Sequence, residues 1–180
     1  GWLVLERQWS PYTLDTSITV LASSTLTVQD GVSLRLSEGV SITVNGVLDV
    51  GQATLSSTGF GARWAGLRLG PSSAATIDLQ GSSLVESSPA LFIDGAGEVT
   101  ATGAFFARSI GEPLVVVDTG NTAQLTIRNS RMQDSGDSCI TLYPSSRTVT
   151  LDNVTLASCD GSAVWAQQVP VNIHGLVVDS

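Results

Sequence analysis

Ser17-Ile18-Thr19-Val20, Thr25-Leu26-Thr27-Val28, Ser33-Leu34-Arg35-Leu36 and Ser41-Ile42-Thr43-Val44 repeat one pattern four times. Each is a small hydroxyl residue, an apolar residue, a variable residue and an apolar residue, and each starts eight positions after the last. Alternation with period two marks a strand with one buried face. Strand and turn at a fixed short spacing describe a chain that coils. Three steps make a lap of 24 residues, which brings Ile18 back to Ile42.

The second half of the chain repeats at that longer period. Gly81, Gly103, Asn129, Asn153 and Gly175 follow one another at intervals of 22 to 26 residues. Three positions after each stands a large apolar residue, Leu84, Phe106, Met132, Leu156 or Val178. Two positions before stands Leu79, Ala101, Ile127, Leu151 or Ile173. Gly and Asn tolerate the left-handed backbone conformation at least cost, so the shared slot reads as a corner between two strands. A third strand falls into register as Gly66-Leu67-Arg68-Leu69, Ala90-Leu91-Phe92-Ile93, Leu114-Val115-Val116-Val117, Cys139-Ile140-Thr141-Leu142 and Ala163-Val164-Trp165-Ala166. Its second and fourth members point inward. Gly111-Glu112-Pro113 and Asp118-Thr119-Gly120-Asn121 read as connecting turns of variable length.

These periods predict an all-β, right-handed parallel β-helix of about seven coils, roughly 24 residues and three short strands each. At ~4.8 Å per coil the rod is about 35 Å long, and its hand follows from the usual sense of parallel crossovers. A β-sandwich also spaces its strands by 8–12 residues, but it explains neither the Gly/Asn slot nor the near-equal repeats. Residues 1–16 are expected to form an N-terminal capping or covering segment, and 17–180 the coils.

The stretch from Ser10-Pro11-Tyr12 through Leu26-Thr27-Val28, Gly31-Val32 and Val44-Asn45-Gly46 resembles the opening of right-handed β-helix surface proteins of the pectate-lyase-like superfamily. Gly61-Ala62-Arg63-Trp64-Ala65-Gly66-Leu67 is similar to the Trp-containing step that follows in such proteins. The resemblance spans nearly the whole chain and is one of fold. The superfamily holds enzymes and non-enzymes alike, so function has to be argued from sites.

Composition narrows the classes. The 180 residues are 42% hydrophobic and 13% charged with a net charge of -8, apolar enough for a core. All eight basic residues are Arg, and a dispersed set of them on an acidic chain argues against a nucleic-acid face. No apolar run reaches the ~18 residues of a membrane span. The chain starts at Gly rather than Met, as expected of a mature or excised segment. Cys139 and Cys159 are the two cysteines, and the sequence leaves open whether they are bonded. The single His leaves a zinc site short of ligands.

Stacking turns sequence offsets into neighbours. Five positions beyond the corner stand Glu86, Arg108, Asp134 and Ser158. Glu86 and Asp134, two rungs or ~9–10 Å apart, approach the carboxylate spacing of inverting glycosidases. Arg108 between them makes the set a charge ladder instead. Just before the corner stand Gln80, Thr102, Arg128, Asp152 and His174. The Asp–His neighbours have no tied Ser or Cys nucleophile and also read as charge matching. The superfamily's lyases use a Lys or Arg base with calcium held by clustered acids. This chain has no Lys, and Asp134-Ser135-Gly136-Asp137 is its densest acidic turn. Calcium there is a candidate, and an ordinary Asp/Gly turn is the simpler reading. No paired-Asp or Gly-His-Gly arrangement of the polygalacturonase kind is present; His174-Gly175 stands alone.

The outward position of the third strand gives Arg68, Phe92, Val116, Thr141 and Trp165. Phe92, Val116 and Trp165 make it apolar for a free surface, a binding platform for sugar or protein unless Gly1–Trp9 folds over it. Thr25/Thr27 and Thr148/Thr150 raise an ice- or mineral-binding face, but by the sequence reading they do not recur in one column across coils. Asn153-Val154-Thr155 is a glycosylation sequon whose Asn occupies the corner slot. The chain stops five residues past Gly175, where open strand edges invite stacking. The expectation is a non-enzymatic extracellular or cell-surface structural protein: a rigid spacer, an adhesin-like module or a subunit of an assembly. It would meet copies of itself or neighbouring domains through open ends and carry no cofactor. The alternative is a polysaccharide-binding module or a polysaccharide lyase or hydrolase.

Overall fold

The computed structural model describes residues 1–118, 122–145 and 148–179. They form an all-β parallel β-solenoid of about seven turns with three parallel sheets. Among the described residues the sole helical element is a 3-10 turn, Arg7–Trp9. The first sheet runs from Trp2–Leu5 through Thr25–Val28 to Val171–His174, the second from Tyr12–Leu14 through Ser33–Leu36 to Val177–Asp179. The third runs from Ile18–Val20 through Ile42–Val44 to Val164–Ala166.

The 24-residue lap is a register: Ile18 pairs with Ile42, Thr19 with Thr43 and Val20 with Val44. Strands of all three sheets contribute alternate side chains to one core. Leu26, Leu48, Ile77, Val99 and Leu125 line it from the first sheet; Leu34, Leu55, Leu84, Phe106 and Met132 from the second; Ile42, Leu67, Leu91, Val115 and Ile140 from the third. All are buried. Trp64 fills the core at the turn from the second sheet to the third, and its indole N–H donates to the Val85 carbonyl at 2.9 Å. Burying so large a ring with its one polar atom satisfied avoids a desolvation penalty.

The corner slot is left-handed throughout, with φ from 48° at Asn129 to 66° at Gly81. Asn153 lies there at φ 52°, and its amide donates to Asn129 Oδ1 at 2.8 Å, one coil away. The sequon Asn therefore serves the turn and a short amide ladder. A second left-handed column stands five positions on: Glu86, Arg108, Asp134 and Ser158 have φ of 59°, 64°, 57° and 50°. The sequence shows no Gly or Asn there, so its spacing reads as charge pairing alone.

Three expectations are corrected. Trp2–Leu5 pairs with Thr25–Val28 and Tyr12–Leu14 with Ser33–Leu36, so the coils begin at Trp2 rather than Ser17. Leu3 and Leu5 keep the alternation of Leu26 and Val28, which places the segment at the end of the first sheet and not over the third. Thr100, Thr126 and Thr150 do share one outward column, with Thr27 further along it. Asp49 and Asp78 interrupt that column. Thr119, Gly120 and Asn121, the greater part of one expected turn, lie outside the described residues, as does Ser180. Gly111, in the other, has φ 69° as a turn residue should.

Cys139 and Cys159 are bonded. Cys159 stands one coil beyond Ser135 in register, and Cys139 follows the turn after Ser135. The bridge therefore joins adjacent coils across the passage from the second sheet to the third.

Candidate functional site

The outward column of the third sheet is as spaced in the sequence: Arg68, Phe92, Val116, Thr141 and Trp165 pair in order. Parallel pairing sets these side chains ~4.8 Å apart along the axis. Exposure is where the structure departs from expectation. Val116 and Thr141 retain 6% and 7% of their surface, whereas Trp165 retains 39%. The stripe is thus the floor of a groove rather than an open platform, and the N-terminal segment does not cover it.

The groove measures about 420 Å³. Chain segments entering the third-sheet strands form one wall, with Ser88, Pro89, Glu112, Pro113 and Asp137. Residues leaving those strands, Asp118 and Tyr143, form the other. Tyr143 stacks edge-on to Trp165 with ring centroids 5.3 Å apart. The Arg68 guanidinium lies 4.4 Å over the Phe92 ring and 3.6 Å from Asp94 Oδ2. Among the described lining residues Arg68 is the one cation, and it is engaged twice, by an aromatic face and by a carboxylate.

A buried serine ladder fixes the Glu112 wall. Ser109 Oγ donates to the Glu112 carbonyl at 2.6 Å and lies 3.2 Å from Ser135 Oγ, which donates to the Ser138 carbonyl at 2.9 Å. These serines sit six positions beyond the corner, where Ser87 and Cys159 also fall. The recurring column was visible in the sequence, but its task of tying down the loops was not. Leu114, wholly buried, holds the same loop from beneath. Gly66 enters the third sheet at φ 74°, where a Cβ would strike the Pro89 carbonyl. Successive coils therefore meet backbone to backbone along this wall.

The other candidates separate. Arg108 Nη1 lies 3.5 Å from Glu86 Oε1, one step of the expected ladder. Asp134, the next rung, accepts from Gln133 Nε2 at 2.9 Å. Asp152 and His174 are register neighbours, and the Arg128 guanidinium lies 3.9 Å from the Asp152 carboxylate. Asp134 and Asp137, the acidic turn, face different depressions: Asp137 the groove, Asp134 a shallow one beside Ser158 and Asp160. Among the described residues no three His, Cys, Asp or Glu side chains stand close enough to hold a metal ion. A further depression of about 520 Å³ near the first corner is lined by Arg7, Asp30, Asp49 and Gln80. It has no aromatic wall, and Asp30 Oδ1 there takes the Gln52 N–H at 2.7 Å. Among the described residues no helix is long and apolar enough to cross a membrane.

No protein-family model matches the chain, and comparison with curated proteins and with solved structures finds no match.

Proposed function

We propose that this chain is a non-enzymatic β-solenoid module of an extracellular or cell-surface protein, a rigid spacer or adhesin-like unit that displays its third-sheet face. The observation that carries this reading is the single core running through every coil, clasped by Cys139–Cys159. Such a core resists bending because each coil is packed on two others. A structural disulfide suits an oxidising compartment. The residues with catalytic chemistry are engaged in pairs along the coils, Glu86 with Arg108 and Asp152 with Arg128. Kinship with the surface β-helices of the pectate-lyase-like superfamily is part of the proposal, on the strength of the Trp64 step and the three-sheet coil.

The module would associate through its coil ends. Ile173, Val177 and Val178, on the strands farthest from Trp2–Leu5, are exposed side chains aligned with Leu151, Thr155 and Leu156. Another rung, from a neighbouring domain or a second copy, would cover them. Light scattering across a concentration series should show mass above that of one chain, reduced in Val178→Lys. A concentration-independent monomer would remove self-association. The enzymatic alternative has its own assay: turnover of an acidic polysaccharide, abolished in Glu86→Gln or Asp134→Asn, would overturn the non-enzymatic reading.

A further inference from the structure

We infer that Asn153 is the acceptor of an N-linked glycan, carried at the corner between the first and second sheets. The inference rests on the extracellular reading above. Asn153-Val154-Thr155 sets a hydroxyl residue two positions after an asparagine, the pattern that oligosaccharide transfer reads on secreted chains. Among Asn45, Asn121, Asn129, Asn153 and Asn172, Asn153 alone has that follower. Asn129 holds the same corner slot one coil earlier, but Arg131 stands in register where Asn153 has Thr155. Val154 is wholly buried and Asn153 exposed, so the carboxamide stands away from the core. Its nitrogen carries two hydrogens. One donates to Asn129 Oδ1 at 2.8 Å, and among the described contacts the other is left for substitution. The next coil sets Gly175 beside it, where a Cβ would come within 3.4 Å of the Asn153 Cα. A side chain at that place would crowd the amide, and glycine leaves the side open. In the transfer, Asn153 Nδ2 bonds to C1 of the first sugar while the C1–oxygen bond of a lipid-diphosphate-linked oligosaccharide breaks. The diphosphate leaves with the bonding pair, and one Nδ2 hydrogen leaves as a proton. The other still reaches Asn129, so the modified residue keeps its place in the amide ladder. That donor belongs to a secretory compartment, a setting that also suits the Cys139–Cys159 bond. Each coil has three strands, so this corner lies opposite the third sheet, and the glycan leaves the third-sheet face clear.

The test is secretion of the whole chain from cultured eukaryotic cells behind a cleavable leader. Intact mass should show one N-glycan, removed by peptide N-glycosidase. Peptide mapping should place it at Asn153, where enzymatic release leaves an aspartate. Thr155→Val keeps the asparagine and the strand but removes the hydroxyl, and should abolish the glycan, as should Asn153→Gln. The glycosylated chain should match unglycosylated Thr155→Val in circular dichroism, and in melting temperature to within about 2 °C, as for a change at the surface. A larger loss would show that the sugar displaces the corner, and would overturn the placement. A glycan that persists in Thr155→Val would overturn the assignment to Asn153. A secreted chain with Cys139–Cys159 formed and no glycan would overturn the site and leave the extracellular reading standing. A chain retained in the cell with both thiols free would overturn that reading and the site with it.

Discussion

At the scale of single residues, two left-handed columns shape each coil, and they use different chemistry. The corner column uses Gly and Asn, which enter that conformation at least cost. The column at Glu86, Arg108, Asp134 and Ser158 uses ordinary side chains in the same backbone state. Left-handed backbone costs an L-residue about 1–2 kcal/mol, against about 0.5–1 kcal/mol lost with glycine's greater unfolded freedom. Ser158 is exposed, with φ 50° and no ion pair among the described contacts. Ser158→Gly is therefore expected to stabilise the fold by about 0.5–1 kcal/mol, and Ser158→Val to destabilise it. Chemical denaturation reads both; a loss of stability in the glycine variant would refute the strain account.

At the scale of elements, the disulfide is the strongest local restraint. It closes a loop with a sequence separation of 20 and joins adjacent coils. A loop of that size restricts the unfolded chain by about 3 kcal/mol. The double variant Cys139→Ser, Cys159→Ser should lose about that much stability at equilibrium. An unchanged denaturant midpoint would show that the packing of Ile140 and Leu156 already holds these coils without the bond. The serine ladder belongs to this scale too. It anchors the Glu112 loop through its backbone carbonyl, which leaves the Glu112 side chain free of any fold-holding duty.

At the scale of the whole molecule, stability is a chain of neighbour contacts. Interior coils are packed on both sides, whereas Val177–Asp179 pairs on one side and is exposed at all three residues. A solenoid of this kind opens from its weakest coil inward. Amide hydrogen exchange should be slowest in Thr76–Gln80, Leu91–Ile93 and Gln124–Arg128 and fastest in Val177–Asp179. Uniform protection along the chain would instead describe one all-or-none unit. Extra protection of Val177–Asp179 at high protein concentration would mark the stacking proposed for that end.

The coil itself was legible in the sequence. Period-two alternation and a left-handed corner are local demands of the backbone, and each coil must satisfy them with its own residues. That is why Ile18 could be set over Ile42, and Asn129 over Asn153, before any coordinates. The outward column from Arg68 to Trp165 was legible for the same reason. Its burial was not, because burial depends on how the segments before and after each third-sheet strand rise beside it. One wall does recur at the lap spacing, Pro89, Pro113 and Asp137, but its residue types change from coil to coil and carry no signature of a wall. The second left-handed column was hidden because Glu, Arg and Asp carry no signature of that conformation. The pairing of Cys139 with Cys159 was undecided because nothing local measures the distance between coils at a corner. Sequence by itself determined the lap, its strands and which side chains face in. The tertiary structure alone decided that the outward face is a walled groove with Arg68 held over Phe92, since that follows from contacts between coils.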